Sequence, residues 1–106
     1  MKEYTVKIDI ECTRRWYLNG KLHREDGPAV EYADGSKEWW INGQCHREDG
    51  PAVEYADGTT KEWWLSDVRF SEEDFKKEMV LKNLITLKHV VIDGKKYKLT
   101  LVLDND

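Results

Sequence analysis

The sequence predicts a mainly β fold of the α+β kind. It is an antiparallel meander of tandem β-hairpin repeats, preceded by an N-terminal strand and closed by a C-terminal helix plus a β-hairpin cap. Three observations predict it. A segment of about 23 residues recurs along the chain, each recurrence carries two hairpin-type turn signals, and the apolar period changes from two to helical just after residue 70.

The recurrence starts at Trp16 with WYLNGKLHREDGPAVEYADGSKE, again at Trp39 with WWINGQCHREDGPAVEYADGTTKE, and a third time at Trp63 with WWLSDVRF, where it breaks off. The second full copy is one residue longer, the extra residue being one of Thr59 and Thr60. HREDGPAVEYADG is identical in the two full copies, which points to duplication. Asn19-Gly20 and Asn42-Gly43 favour two-residue turns because both central residues need positive φ, and Asp34-Gly35 and Asp57-Gly58 read as turns of the same kind. Ser66-Asp67 is a weaker version in the third copy. Between the turns, residues 29–33 and 37–42 read as short strands, and Gly27-Pro28 and Gly50-Pro51 mark the entry to the second strand, where proline is tolerated.

Neighbours on a strand face opposite sides. Trp16, Trp39 and Trp63 therefore form one aromatic column, and Tyr17, Trp40 and Trp64 form another on the opposite face. Either both columns are core, or one of them lines a partner-binding surface, since a contiguous exposed aromatic patch is rarely left bare. The sequence leaves open which column that is.

Two and a third copies are fewer than an array needs to support itself, so the flanks act as caps. Tyr4, Val6, Ile8 and Ile10 alternate with Thr5, Lys7, Asp9 and Glu11, which predicts a half-buried strand within residues 1–15. The repeats occupy 16–70. In 71–106, Ser71 is placed to cap a helix, Asp74 stands at the capping-box position, and Phe70 and Phe75 have the spacing of a hydrophobic staple. Glu72 and Glu73 suit the positive end of the helix dipole. The helix is expected to run to about Asn83 with Phe75 and Met79 on one face. Residues 84–92, Asp93-Gly94 and 95–103 then read as a final hairpin. All three parts are expected to form one domain, 1–106.

Composition narrows the function classes. Five Trp, five Tyr and two Phe concentrate the apolar surface in a few large anchors, which is too much aromatic content for disorder despite a mean hydropathy of −0.77. A net charge of −4 argues against a protein that grips nucleic acid through its phosphates. Lys76, Lys77, Lys82, Lys88, Lys95, Lys96 and Lys98 make the C-terminal part basic, as a solvated cap face would be. Cys12 and Cys45 lack C-x-x-C spacing, and no signal peptide or membrane-spanning run is evident. The expectation is a cytoplasmic, reduced chain with no membrane role, its cysteines being small packing residues.

His23, Arg24, Glu25 and Asp26, repeated as His46, Arg47, Glu48 and Asp49, invite two readings. Histidine beside carboxylates can act as a general base, and histidines stacked from neighbouring copies, with Cys45, can hold a metal. A repeat, however, places the same residues in equivalent surroundings, whereas catalysis needs different residues in different roles. The favoured reading is structural, with His23, Arg24, Asp26, His46, Arg47 and Asp49 as turn chemistry: the aspartates accept turn N–H bonds, and Arg and Glu pair from one copy to the next. No catalytic residue, metal site or cofactor is expected.

Asp34-Gly35-Ser36-Lys37, the aromatic pair and Asn42-Gly43 with His46 resemble the MORN repeat. Adjacent Trp39-Trp40 replaces its Y-x-G-x-W and HREDGPA replaces its H-G-x-G, so the resemblance is to a variant. The chain is also similar, over about residues 16 to 79, to small bacteriophage and bacterial proteins carrying W-Y-x-N-G-x-x-H-R-E-D-G-P-A units followed by an S/T-E-E-x-F helix, here Ser71 to Phe75. The resemblance implies an accessory phage or bacterial protein, most simply a phage-encoded one, and brings no chemistry with it. The expectation is a non-enzymatic module that binds and modulates or inhibits a host protein, for example as an anti-defence protein such as an anti-CRISPR. The alternatives are a self-associating structural protein, a homodimer included, and below that a metal-binding protein.

Overall fold

The computed structural model describes residues 2–86, 89–92 and 95–98, with side chains described as far as Lys82. Among these the chain is mainly antiparallel β with one C-terminal helix. It divides after Glu72 into two compact units, close to where the repeats give way to the cap.

In the first unit, strand β1 (Thr5–Ile8) pairs with β2 (Arg14–Leu18), placing Val6 opposite Trp16 and Ile8 opposite Arg14. β2 turns into β3 (Lys21–Leu22) and is paired at its other end by β4 (Val30–Glu31). The first copy ends in β5 (Lys37–Glu38), the second supplies β6 (Trp40–Ile41), β7 (Gln44–Cys45) and β8 (Val53–Glu54), β9 (Lys61–Leu65) runs from the second copy into the third, and the third supplies β10 (Val68–Phe70). Eight of the described strands form one sheet, in the order β1-β2-β4-β5-β8-β9-β10 with β3 on β2, while β6 and β7 form their own hairpin.

The strands are shorter than residues 29–33 and 37–42, for a local reason. Trp39 donates its N–H to the Ala52 carbonyl at 2.7 Å and accepts from His46 N at 3.1 Å, so the chain changes partner there. Residues 37 and 38 belong to the sheet, and 40 and 41 to the hairpin.

The Asn-Gly turns form as expected, with φ of 53° and 78° at Asn19-Gly20 and 51° and 80° at Asn42-Gly43. Ser66-Asp67 takes the same shape at 48° and 66° without any glycine. That conformation is unfavourable for side-chain-bearing residues. The Asp67 carboxylate offsets it by accepting the Cys45 N–H at 2.7 Å. The Asp-Gly turns are of another kind than expected, because only Gly35 and Gly58 have positive φ. Each closes a longer loop, Tyr32 N to Ser36 O in one and Tyr55 N to Thr60 O in the other. The additional threonine is absorbed inside the second loop, so Val53 still pairs with Glu62 as Val30 does with Glu38.

The predicted first strand forms, but its apolar face is not half-buried. It is the outermost strand of the sheet, and Val6, Ile8 and Ile10 are 46%, 62% and 99% exposed. The core of the first unit is small: Ala29, Val30, Cys45 and Ala52, with Thr13 and His23 also buried. Of the two cysteines only Cys45 is a packing residue; Cys12 is exposed in a tight turn.

Helix α1 (Glu72–Thr86) belongs to the second unit in all but its first residue, and Ser71 takes the cap position before it. The helix runs past Asn83 and takes the first residues expected to be strand. Phe75 is buried, Met79 half-buried on the same face, and Lys77 reaches Glu73 at 3.3 Å. Strands β11 (His89–Ile92) and β12 (Lys95–Lys98) pair as the expected hairpin. Its turn at Asp93-Gly94 and the strand beyond Lys98 lie outside the described residues.

Candidate functional site

Each HREDGPA segment leaves the sheet as a loop between two residues that hold the same strand. His23 N donates to Trp16 O at 3.0 Å, and Ala29 O receives Trp16 N at 2.8 Å, with the equivalent pair at Trp39 in the second copy. The intervening residues bulge out and are organised by arginine. The Arg24 guanidinium lies 4.1 Å from the Trp16 ring centroid and Arg47 lies 3.8 Å from Trp39, both in cation–π geometry. Arg24 also donates to Asp26 at 3.1 Å, the Pro28 carbonyl at 3.2 Å and Glu31 at 3.5 Å. Arg47 repeats this with Asp49, Pro51 and Glu54 at 2.9, 3.0 and 3.3 Å. A Cβ on Gly27 or Gly50 would stand 3.1 Å from the guanidinium carbon, so glycine is what lets the arginine lie down. These arginine pairs run within a copy, not from one copy to the next, because the bulge folds back over its own tryptophan.

The contact between copies is made by histidine. His23 Nδ1 accepts the Asn42 N–H at 2.9 Å, and His46 Nδ1 accepts the Ser66 N–H at 2.9 Å. Each imidazole is thus held by the turn of the following copy, which places its ring proton on Nε2. Nε2 then faces a carboxylate, Glu48 at 3.0 Å from His46 and Glu25 at 3.6 Å from His23. Phe70 occupies the equivalent place in the third copy and has no acceptor to offer a fourth turn. The sequence pattern shows this substitution, but what it removes becomes evident only once the imidazole's partner is known.

The aromatic columns lie on opposite faces as alternation requires, and all six residues are half-buried. Trp16 and Trp39 are roofed by the arginines. In the other column, Trp40 and Trp64 donate their indole N–H to Glu38 and Glu62, each at 2.9 Å. Those two carboxylates also accept from Tyr32 and Tyr55, at 2.9 and 2.7 Å. Burial, then the neighbouring Glu38, pushes the Tyr32 phenol up to about 12, while the Tyr55 hydroxyl holds Glu62 below its ordinary value. Burial pushes the thiol of Cys45, 6% exposed, up to about 12, which keeps it protonated as a packing side chain.

A cleft of about 560 Å³ separates the two HREDG loops. Trp39, Ile41 and His46 line it from the second copy, and Glu25, Asp26, Glu48 and Asp49 contribute carboxylates from both. Among the described residues no three His, Cys, Asp or Glu side chains converge as a metal site, and no described helix is long and apolar enough to cross a membrane. No protein-family model, curated protein or solved structure matches the chain.

Proposed function

We propose that the chain is a non-enzymatic protein-binding module and, given its likeness to MORN-type and phage hairpin-repeat proteins, a small phage-encoded accessory protein. In this reading it binds and modulates or inhibits a host protein, with anti-defence proteins such as anti-CRISPRs as the concrete form. The observation that carries the binding reading is the division of labour in the repeats. The groups able to do chemistry hold the scaffold together, the imidazoles joining copies and the guanidiniums covering tryptophans. Exposed apolar side chains, by contrast, gather on outer strand β1, where Val6 and Ile8 share a face with Trp16 and its aromatic column. A rigid sheet with apolar anchors and a charged rim has the anatomy of an interface.

The test is affinity capture from the natural host, followed by binding measurements with the identified partner. Val6→Glu/Ile8→Glu is expected to weaken that complex at least tenfold while leaving the melting temperature near wild type, because both side chains are exposed. Trp63→Ala, in the column on the same face, is expected to weaken it too, with some loss of stability. A complex indifferent to both changes removes this surface.

Self-association is the second reading, favoured by one specific observation. The sheet ends in two outer strands, β1 and β10, and Val68 on β10 is also exposed, at 56%. Light scattering showing a strict monomer at high concentration rejects it.

A further inference from the structure

The two outer strands of the sheet are not equally open to a further strand. Trp16 N–H bonds to Ala29 O, and Trp16 O receives His23 N, so both backbone groups of Trp16 turn away from β1. Successive residues of a strand alternate in the direction of these groups. Arg15 and Tyr17 therefore carry the bonds to β1, at Lys7 and Thr5, and Val6 and Ile8 turn their N–H and C=O outward. Asp9 N, bonded to Thr13 O at 3.1 Å, keeps the same alternation. On β10 the phase is reversed. Trp64 O receives Arg47 N, so Val68 and Phe70 bond inward to β9 and only Arg69 turns outward. β1 thus offers two outward residues, both with exposed apolar side chains, where β10 offers one, a cation.

We infer that β1 takes the β1 of a second copy of this chain, antiparallel and centred on Ile8, to give a closed dimer with one continuous sheet. Val6-Lys7-Ile8-Asp9-Ile10 is complementary to itself in that phase. Ile8 meets Ile8 of the second copy, and the two exchange their outward N–H and C=O bonds across the axis. Val6 meets Ile10, which stands at the start of the following turn, and Lys7 meets Asp9. The other phases conflict: an axis at Lys7 sets Lys7 on Lys7, and one at Val6 sets Asp9 on Glu3. An odd shift puts outward groups against inward ones. Charge favours the same phase. Lys7, 5.1 Å from the Tyr17 ring centroid, faces Arg15 across the ladder, and the neighbouring Asp9 Oδ2 is committed to Arg15 at 3.0 Å. The second copy brings its own Asp9 to Lys7. The apolar side chains of both copies then stand side by side on one face. Residues 6–10 alone make a small interface, which sets the expected dissociation constant at about 0.1–1 mM. This inference rests on the self-association reading and names its edge, phase and symmetry.

The test uses the full chain. Sedimentation velocity up to about 2 mM is expected to show a monomer–dimer equilibrium that goes no further, because a two-fold contact uses up both β1 edges. Ile8→Pro removes the outward N–H, which β2 does not use, and is expected to leave a folded monomer at every concentration. Lys7→Glu sets like charges opposite one another and is expected to weaken the dimer about three- to tenfold with the fold unchanged. In a Cys12→Ser background, Ile8→Cys is expected to oxidise to a disulfide-linked dimer, whereas Val68→Cys, of similar exposure, is not. A chain that stays monomeric overturns the inference together with the self-association reading. A dimer unmoved by Ile8→Pro and Lys7→Glu, cross-linking through Val68→Cys, or growth beyond dimers overturns β1 pairing and leaves self-association standing. Should Ile8→Pro fail to fold, Lys7→Glu and the cross-link decide.

Discussion

The two HREDGPAVEYADG segments are the same thirteen residues in two places, and they do not end up alike. The bonds internal to each copy agree closely: arginine on tryptophan, arginine to aspartate and to the proline carbonyl, tyrosine to glutamate. What differs is set from outside. His23 is sealed beneath Tyr4 and Lys2, whereas His46 opens onto a cleft. Val30 is 2% exposed while Val53 is half-buried, and Tyr55 is 42% exposed while Tyr32 is half-buried. Local geometry travels with the sequence, and environment is assigned by position in the array.

The arginines offer the largest test of the shared part. Arg24→Ala and Arg47→Ala each remove a cation–π contact and three hydrogen bonds, and each is expected to cost about 2–4 kcal/mol by urea denaturation. The two values should agree within about 1 kcal/mol, and a wide gap would mean the bulges are not energetically equivalent. The histidines test the part that differs. His23→Ala leaves the Asn42 N–H without its acceptor beneath a sealed site, at a cost of about 1–3 kcal/mol. His46→Ala is expected to cost less, because Ser66 is exposed and water replaces the lost acceptor.

Acid sharpens the comparison least but most specifically. Bonds from the Thr60 hydroxyl and the Thr60 and Thr59 amides lower the Asp57 carboxyl to about 2. A carboxylate lowered on folding stabilises fully above its unfolded value, near 4, and loses that contribution as pH falls toward 2. Deleting Thr59 makes the second loop match the first in length. That variant should unfold at a slightly higher pH in an acid titration, because Asp57 then keeps fewer of the bonds that lower it.

The repeat, the Asn-Gly turns, the opposed aromatic columns and the helix after Ser71 were all legible in the residues. Each rests on contacts between near neighbours in the chain, where steric and hydrogen-bonding preferences act directly. The partner of each imidazole was not legible. It is a backbone amide of the next copy's turn, about twenty residues away, and no residue type announces it. Nor was the exposed face of β1, because alternation says which side chains share a face and not whether anything covers them. The sequence by itself determined the repeating hairpin and the chemistry it carries. Only the tertiary structure decided that histidine joins copies, that arginine roofs its own tryptophan, and that one of two identical motifs is covered and the other open. Those outcomes depend on which distant segments come to lie beside each copy, and two copies of one sequence cannot encode that difference within themselves.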